Sequence, residues 1–96
     1  MTIGIYSLYW EIPDKVYIGQ SISIETRYSR HIWAMQRGIH DNYKIQHVYD
    51  SYGVPSLNVL EICLKSELDN KEKSYIYEFD SIHSGLNICG VQESRS

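Results

Sequence analysis

The sequence lacks the features that mark exported proteins, membrane proteins and proteins stabilised by a structural metal site. No basic segment followed by an apolar run and a cleavage site opens it, and Glu11 and Asp14 interrupt its apolar start. Neither a signal peptide nor a membrane span is therefore predicted. The two cysteines, Cys63 and Cys89, form no C-x-x-C pair, which favours reduced, packed thiols over a disulfide framework or a zinc site. We expect a soluble, cytoplasmic protein.

The chain is also too short for more than one small domain, and it has no overall excess of basic residues. It has 96 residues and a net charge of −3, which argues against tight binding of nucleic acid by this chain alone. The average hides an asymmetry, because residues 26–47 carry four basic residues against one acid, together with three histidines. Charge alone leaves open whether this segment is a binding face or an ordinary solvated helix face.

What the sequence does contain is a regular succession of strand and helix signals. Residues 3–9 and 15–21 are rich in β-branched and aromatic types, which predicts an antiparallel hairpin with a loop longer than two residues. The spacing of apolar residues and caps predicts the remaining elements: helices from about Ser23 to Gly38 and Asn42 to Ser51, a strand over 57–64, and a helix from a capping box at Ser66 and Asp69 to about Phe79. The predicted class is α+β, in the order β-β-α-α-β-α. In the third strand, strict alternation would place Leu57 and Cys63 on the same face.

The last helix carries a carboxylate where burial is expected. An apolar stripe at helical spacing has Glu72 in its middle, and the stripe consists of Leu68, Tyr75, Ile76 and Phe79. An inward-facing carboxylate must be paired, protonated or bound to a cation, because burial of an uncompensated charge is costly. Two interpretations stay open here: Glu72 faces inward, or the stripe is rotated and Glu72 lies at its edge.

The first long helix places a cation and an imidazole close together. Arg27 and His31 lie four residues apart on one flank of a predicted core stripe formed by Ile24, Tyr28, Ile32 and Met35. An arginine offers fixed donors to phosphate oxygens, and a histidine can move protons near neutral pH. An exposed Arg–His pair is the more common case. With Glu72, tyrosines and a metal, however, the pair would suit phosphodiester hydrolysis.

Two predicted strands each combine a tyrosine with a glycine. Gly4 and Tyr6 share a face, as do Tyr17 and Gly19, so each tyrosine has an empty neighbour on its own side. Glycine weakens a strand because it loses the most backbone freedom and offers nothing to pack. We therefore expect that a ligand or another side chain needs the space.

These residues together resemble the GIY-YIG endonuclease domain. The tripeptides GIY at 4–6 and YIG at 17–19 are separated by ten residues, and four further residues follow in order: Arg27, His31, Glu72 and Asn87. The stretches NYKIQHVYDSYG and SGLNI are more similar to the phage and intron-encoded homing branch than to the repair branches. The resemblance covers residues 1–90 as one nuclease domain and leaves 91–96 as a polar tail.

The resemblance implies a three-stranded antiparallel sheet flanked by helices, and metal-dependent cleavage of DNA. Glu72 would bind a single Mg²⁺ or Mn²⁺ ion, and Arg27 would stabilise the scissile phosphate. Tyr17, or His31 in its place, would deprotonate the attacking water, and Tyr6 would position water or phosphate. The glycines beside the tyrosines would leave room for phosphate, water and metal. Substrate-binding or supporting roles are implied for Gly4, Gly19, Arg30 and Asn87.

The resemblance also implies a partner and a setting. The partner is DNA, with a DNA-binding region elsewhere in a longer protein that is encoded by a phage or its bacterial host. One active site with one metal implies a monomer that nicks one strand per encounter, and a transient dimer for the second cut stays open. The alternatives are a non-catalytic DNA-binding or docking module, and a restriction or repair nuclease of the same family.

Overall fold

The computed structural model describes residues 1–81 and 85–87. Its elements are β1 (Gly4–Trp10), β2 (Lys15–Ser21), α1 (Ile24–Arg37), α2 (Tyr43–Tyr52), β3 (Ser56–Ile62) and α3 (Leu68–Phe79), with a 3₁₀ turn at Lys65–Glu67. The predicted order and the three-stranded antiparallel sheet are confirmed. The predicted boundary between domain and tail lies outside the described residues. Within the described ranges, no helix is long and apolar enough to cross a membrane.

The sheet brings the two motif strands together. Its strand order is β2-β1-β3, so β1 is central and β2 is an edge strand. In the β1–β2 hairpin, Tyr6 lies opposite Gly19 and Leu8 lies opposite Tyr17. Helices α1 and α2 pack on the sheet face that carries these residues, whereas α3 packs on the other face against Ile5 and other buried side chains. The sheet is thus the middle of three layers.

The ends of α1 and α2 follow the predicted caps. Helix α1 ends before Gly38, whose φ of 73° lies in the left-handed region that glycine adopts without steric cost. The Asn42 side chain accepts hydrogen bonds from two backbone N–H groups in the first turn of α2, at 2.9 and 3.1 Å. These local signals therefore fix the loop between the two helices.

The alternation expected along β3 is wrong because this strand contains a bulge. Its pairing with β1 shifts register between Ile5 and Tyr6, which leaves Leu60 as an extra residue. The shift reverses the two faces, so Leu57 packs on the α1 side of the sheet and Cys63 packs on the α3 side. The pairing of β3 with β1 determines which side of the sheet each residue faces. The sequence of β3 alone carries no signal for the bulge.

The predicted start of α3 is also wrong. Ser66 and Asp69 do not form a capping box, because Ser66 lies within the 3₁₀ turn. Instead, the Glu67 carboxylate accepts a hydrogen bond from the backbone N–H of Leu64 at 3.0 Å. Helix α3 begins after this turn and ends at Phe79, as expected.

Candidate active site

Glu72 points into the protein interior. Leu68, Glu72 and Ile76, four residues apart, form the buried stripe of α3, and Glu72 is 0% exposed. The inward-facing interpretation is therefore confirmed, and the edge interpretation is wrong. Phe79, expected in the same stripe, is 40% exposed.

A glutamine of the edge strand holds the Glu72 carboxylate. Gln20 Nε2 donates hydrogen bonds to Glu72 Oε1 and to Asp69 Oδ1, each at 2.8 Å. Two carboxylates from successive turns of α3 thus converge on one amide. In the described part of the chain, no three His, Cys, Asp or Glu side chains come together to enclose a metal ion. This oxygen donor set fits a cation that keeps most of its water, as Mg²⁺ does.

Tyr6, Tyr17 and His31 form an aromatic cluster on the α1 side of the sheet. The ring centroids of Tyr6 and Tyr17 are 6.4 Å apart, and His31 lies 5.9 Å from Tyr6 and 5.6 Å from Tyr17. All three side chains are buried. The interpretation of Arg27 and His31 as an exposed pair is therefore wrong for His31. Three of the predicted catalytic residues lie together in this cluster.

Arg27 adds a fourth member to this cluster, and it is the one that reaches solvent. It lies one turn before His31 and is partly exposed. Its guanidinium is hydrogen-bonded to the Tyr6 phenol, and Glu72 is close enough for its charge to act on the same phenol. Burial raises the pKa of Tyr6 far above its usual value, so this phenol stays protonated.

A chain of hydrogen bonds fixes the proton positions on two histidines. The backbone N–H of Asn42 donates to His40 Nδ1 at 3.0 Å, so His40 is neutral with its proton on Nε2. That proton is directed at His31 Nδ1, 2.7 Å away, which places the His31 proton on Nε2, 2.8 Å from Tyr6 Oη. Burial lowers the pKa of His31 to about 3 and also lowers the pKa of His40. Neutral His31 is thus a donor to Tyr6.

Sequence reasoning misses His40 and Gln20. His40 follows the Gly38 cap, and its ring is nearly parallel to that of His31, at an interplanar angle of 9°. The available signal was a histidine placed just after a helix end, where the chain can turn back on the helix. No comparable signal identifies Gln20, because its role depends on how α3 packs against the sheet edge.

The space beside the motif glycines is filled by other atoms of the protein. A β-carbon at Gly19 would lie 2.5 Å from Cζ and Oη of Tyr6, which sits opposite in the β1–β2 pair. A β-carbon at Gly4 would clash with the backbone carbonyl of Glu61 in β3. The expectation that these glycines leave space for phosphate, water and metal is therefore wrong. Gly19 lets the Tyr6 ring pack directly against β2, and Gly4 lets β3 approach β1.

Asn87 and Arg30 lie outside the cluster. The buried amide of Asn87 accepts from the Ile18 backbone N–H and donates to the Ile18 carbonyl, both at 2.9 Å. Asn87 thus hydrogen-bonds to the backbone of the edge strand β2, directly beside Tyr17. This position suits a supporting residue. Arg30 lies on the exposed face of α1, and the structure does not bring it to the cluster.

Comparison with known proteins relates this arrangement to characterised endonucleases. No family profile matches the chain. Intron-associated endonuclease 1 of Enterobacteria phage T4 is 30% identical over 93% of this chain, and the chain spans 38% of that relative's length. Among solved structures, the catalytic domain of intron endonuclease I-TevI with a glutamate-to-alanine substitution is 28% identical, with a TM-score of 0.90, and the match covers 96% of this chain and 98% of that one. A second structure, the catalytic domain of homing endonuclease I-TevI, is 29% identical, with a TM-score of 0.85 and coverage of 91% and 98%.

Proposed function

The chain is a GIY-YIG endonuclease domain homologous to the catalytic domain of I-TevI, and on that basis we propose that it hydrolyses phosphodiester bonds in DNA with a divalent cation bound at Glu72. Nucleases of this family generally use a divalent metal ion. The observation that carries the proposal is the fully buried Glu72 carboxylate, which is held by Gln20. A carboxylate with no function would be costly in this apolar stripe.

The side chains around Glu72 have separate roles in this proposal. When bound, Mg²⁺ or Mn²⁺ would polarise a phosphate oxygen and lower the barrier to attack. Arg27 offers its guanidinium to the phosphate oxygens as their negative charge grows. The Tyr6 hydroxyl oxygen accepts hydrogen bonds from His31 and Arg27, and in this proposal its own O–H would donate to a water or a phosphate oxygen. These groups bind and orient the reactants.

We assign the role of general base to Tyr17 rather than His31. Both ring nitrogens of His31 are engaged, since Nδ1 accepts from His40 and Nε2 donates to Tyr6. No lone pair of His31 is therefore left to take a proton from water. A free phenol ionises near pH ~10, so Tyr17 acts as a base only when Arg27 and the cation stabilise its phenolate.

Tyr17→Phe is expected to slow cleavage by about a hundredfold or more, because a general base typically contributes that much. The substitution removes only the hydroxyl and should leave thermal unfolding nearly unchanged. Its matched control is His31→Gln, whose amide can still donate to Tyr6 and which should lose less activity. Single-turnover nicking rates provide the comparison, and an undiminished rate for Tyr17→Phe would move the role of base to His31.

The primary test is nicking of supercoiled plasmid by the purified chain at low salt. With Mg²⁺ or Mn²⁺ we expect conversion to the open-circular form, because one active site with one cation cuts one strand per encounter. EDTA should abolish the conversion, and cleavage that persisted in EDTA would contradict the role of the cation. Metal-independent DNA binding with no cleavage would instead identify a non-catalytic DNA-binding or docking module.

We further propose that the domain belongs to a longer homing-type endonuclease with a separate recognition region. The chain spans 38% of the length of the phage relative. Its net charge is −3, and phosphate contacts alone position a protein on DNA without specifying a sequence. Recognition of a target sequence would then reside in the other region, and a restriction or repair role would require a different partner.

A further inference from the structure

We propose that the outward face of α1 holds the DNA strand beside the active-site cluster through its phosphates. This face carries Arg30, Trp33 and Arg37, which we call the α1 track. All three side chains are exposed. The inference rests on the proposed function for the identity of its ligand, but it concerns binding and is separable from cleavage.

The track begins at Arg30, about one helical turn after Arg27, and follows the helix. Successive helical residues are about 100° apart, so Arg30 and Arg37 lie nearly on one line, about 60–80° around the axis from Arg27. The helix rises about 15 Å from Arg27 to Arg37. Since each nucleotide of a B-form strand advances about 3.4 Å along the axis, Arg27 and the track together match a strand segment of about four nucleotides.

Charge along α1 is segregated in the way that such a track requires. The one acidic residue of this helix, Glu25, lies on the opposite flank, more than about 100° around the axis from both track arginines. Its carboxylate accepts a hydrogen bond from the backbone N–H of Thr2 at 3.0 Å. In a chain of net charge −3, a line of arginines leading from the cluster favours an anionic partner at that place.

The Arg37 guanidinium lies over the exposed Trp33 ring at the far end of the track. The Arg37 guanidinium carbon lies 4.7 Å from the centre of the Trp33 ring, and Trp33 is 52% exposed. An arginine in the last turn also complements the helix dipole. The dipole explains neither an exposed indole nor Arg30 in the middle of the helix. Arginine and aromatic planes in a basic groove are the surfaces that follow a nucleic-acid backbone.

Binding of a labelled, random-sequence duplex in EDTA tests the track without cleavage. The parent chain is compared with Arg30→Gln/Arg37→Gln and with a control, Lys65→Gln/Lys73→Gln, which loses the same charge at exposed positions before and within α3. The track variant should bind on the order of tenfold more weakly at low salt, and the slope of log affinity against log salt should fall by about two. The control should change clearly less.

Fluorescence gives a second, direct measurement. The only other tryptophan, Trp10, is buried, so a change in emission on adding duplex reports on Trp33. We expect quenching that Trp33→Phe removes. The proposed track would be wrong if both double variants lost duplex affinity to the same extent. It would also be wrong if tryptophan emission did not change when duplex binds.

The two proposals fail in distinguishable ways. If the parent chain did not nick plasmid but the track variant still lost affinity relative to the control, the nuclease activity would be contradicted and the track supported. If the parent chain nicked plasmid and the track variant bound duplex like the parent, the track alone would be wrong.

Discussion

Glu72→Gln should abolish plasmid nicking while leaving the fold intact. The side chain keeps its shape and its oxygen can still accept from Gln20, but the charge that binds the cation is gone. We expect the rate to fall at least about a thousandfold, which corresponds to about 4 kcal/mol of transition-state stabilisation. Because burial disfavours the carboxylate, neutralising it should not lower the unfolding temperature.

The matched control for this variant is Glu78→Gln. It makes the same chemical change at an exposed position of the same helix and should cut like the parent. Binding of Mn²⁺, followed by loss of the free-ion signal in electron paramagnetic resonance, should weaken only for the Glu72 variant. Cleavage at the parent rate would remove Glu72 from the site. Loss of cooperative unfolding together with activity would point to a structural role.

Arg27→Ala should slow nicking about a thousandfold, comparable to the loss of an arginine that stabilises a transferring phosphate. Arg27 is the partly exposed member of the cluster and is hydrogen-bonded to Tyr6, so its loss removes both a phosphate donor and a constraint on the phenol. Single-turnover rates at saturating DNA, beside duplex affinity in EDTA, separate the two effects. We expect the rate to change far more than the affinity.

Arg27→Lys sharpens this prediction because it keeps the charge and removes the planar fork of donors. If geometry matters as well as charge, its rate should lie between those of the parent and the alanine variant. Lys73→Ala, on the exposed face of α3, controls for the loss of one positive charge. An alanine variant that cut DNA at the parent rate would exclude Arg27 from the chemistry.

The parts of the fold that could be predicted are those specified by local signals. The β-branched and aromatic residues of the hairpin, Gly38 after α1 and Asn42 before α2 act within a few residues of themselves. The bulge at Leu60 depends on pairing between β1 and β3, which are about fifty residues apart in the sequence. No pattern within β3 could have indicated it.

The same division applies to the site. Helical spacing put Glu72 in the middle of an apolar stripe but left open whether it faces inward, and the two tripeptides identified the tyrosines. Spacing could not show that His40 orients His31, or that the Tyr6 ring occupies the space above Gly19, because these contacts join separate elements. Tertiary packing therefore decides the proton positions, while the sequence decides which groups are present.

The central place of β1 in the sheet has a consequence for synthesis of the protein. The β1–β2 hairpin joins neighbouring residues and can form early, whereas β3 must pair with β1 across the whole of α1 and α2. A nascent chain that already displays the tyrosines and arginines still lacks both the third strand and the carboxylate of α3. If Glu72 has the role proposed above, fragments released before this residue is added would lack cleavage activity, and only chains translated as far as α3 would carry it.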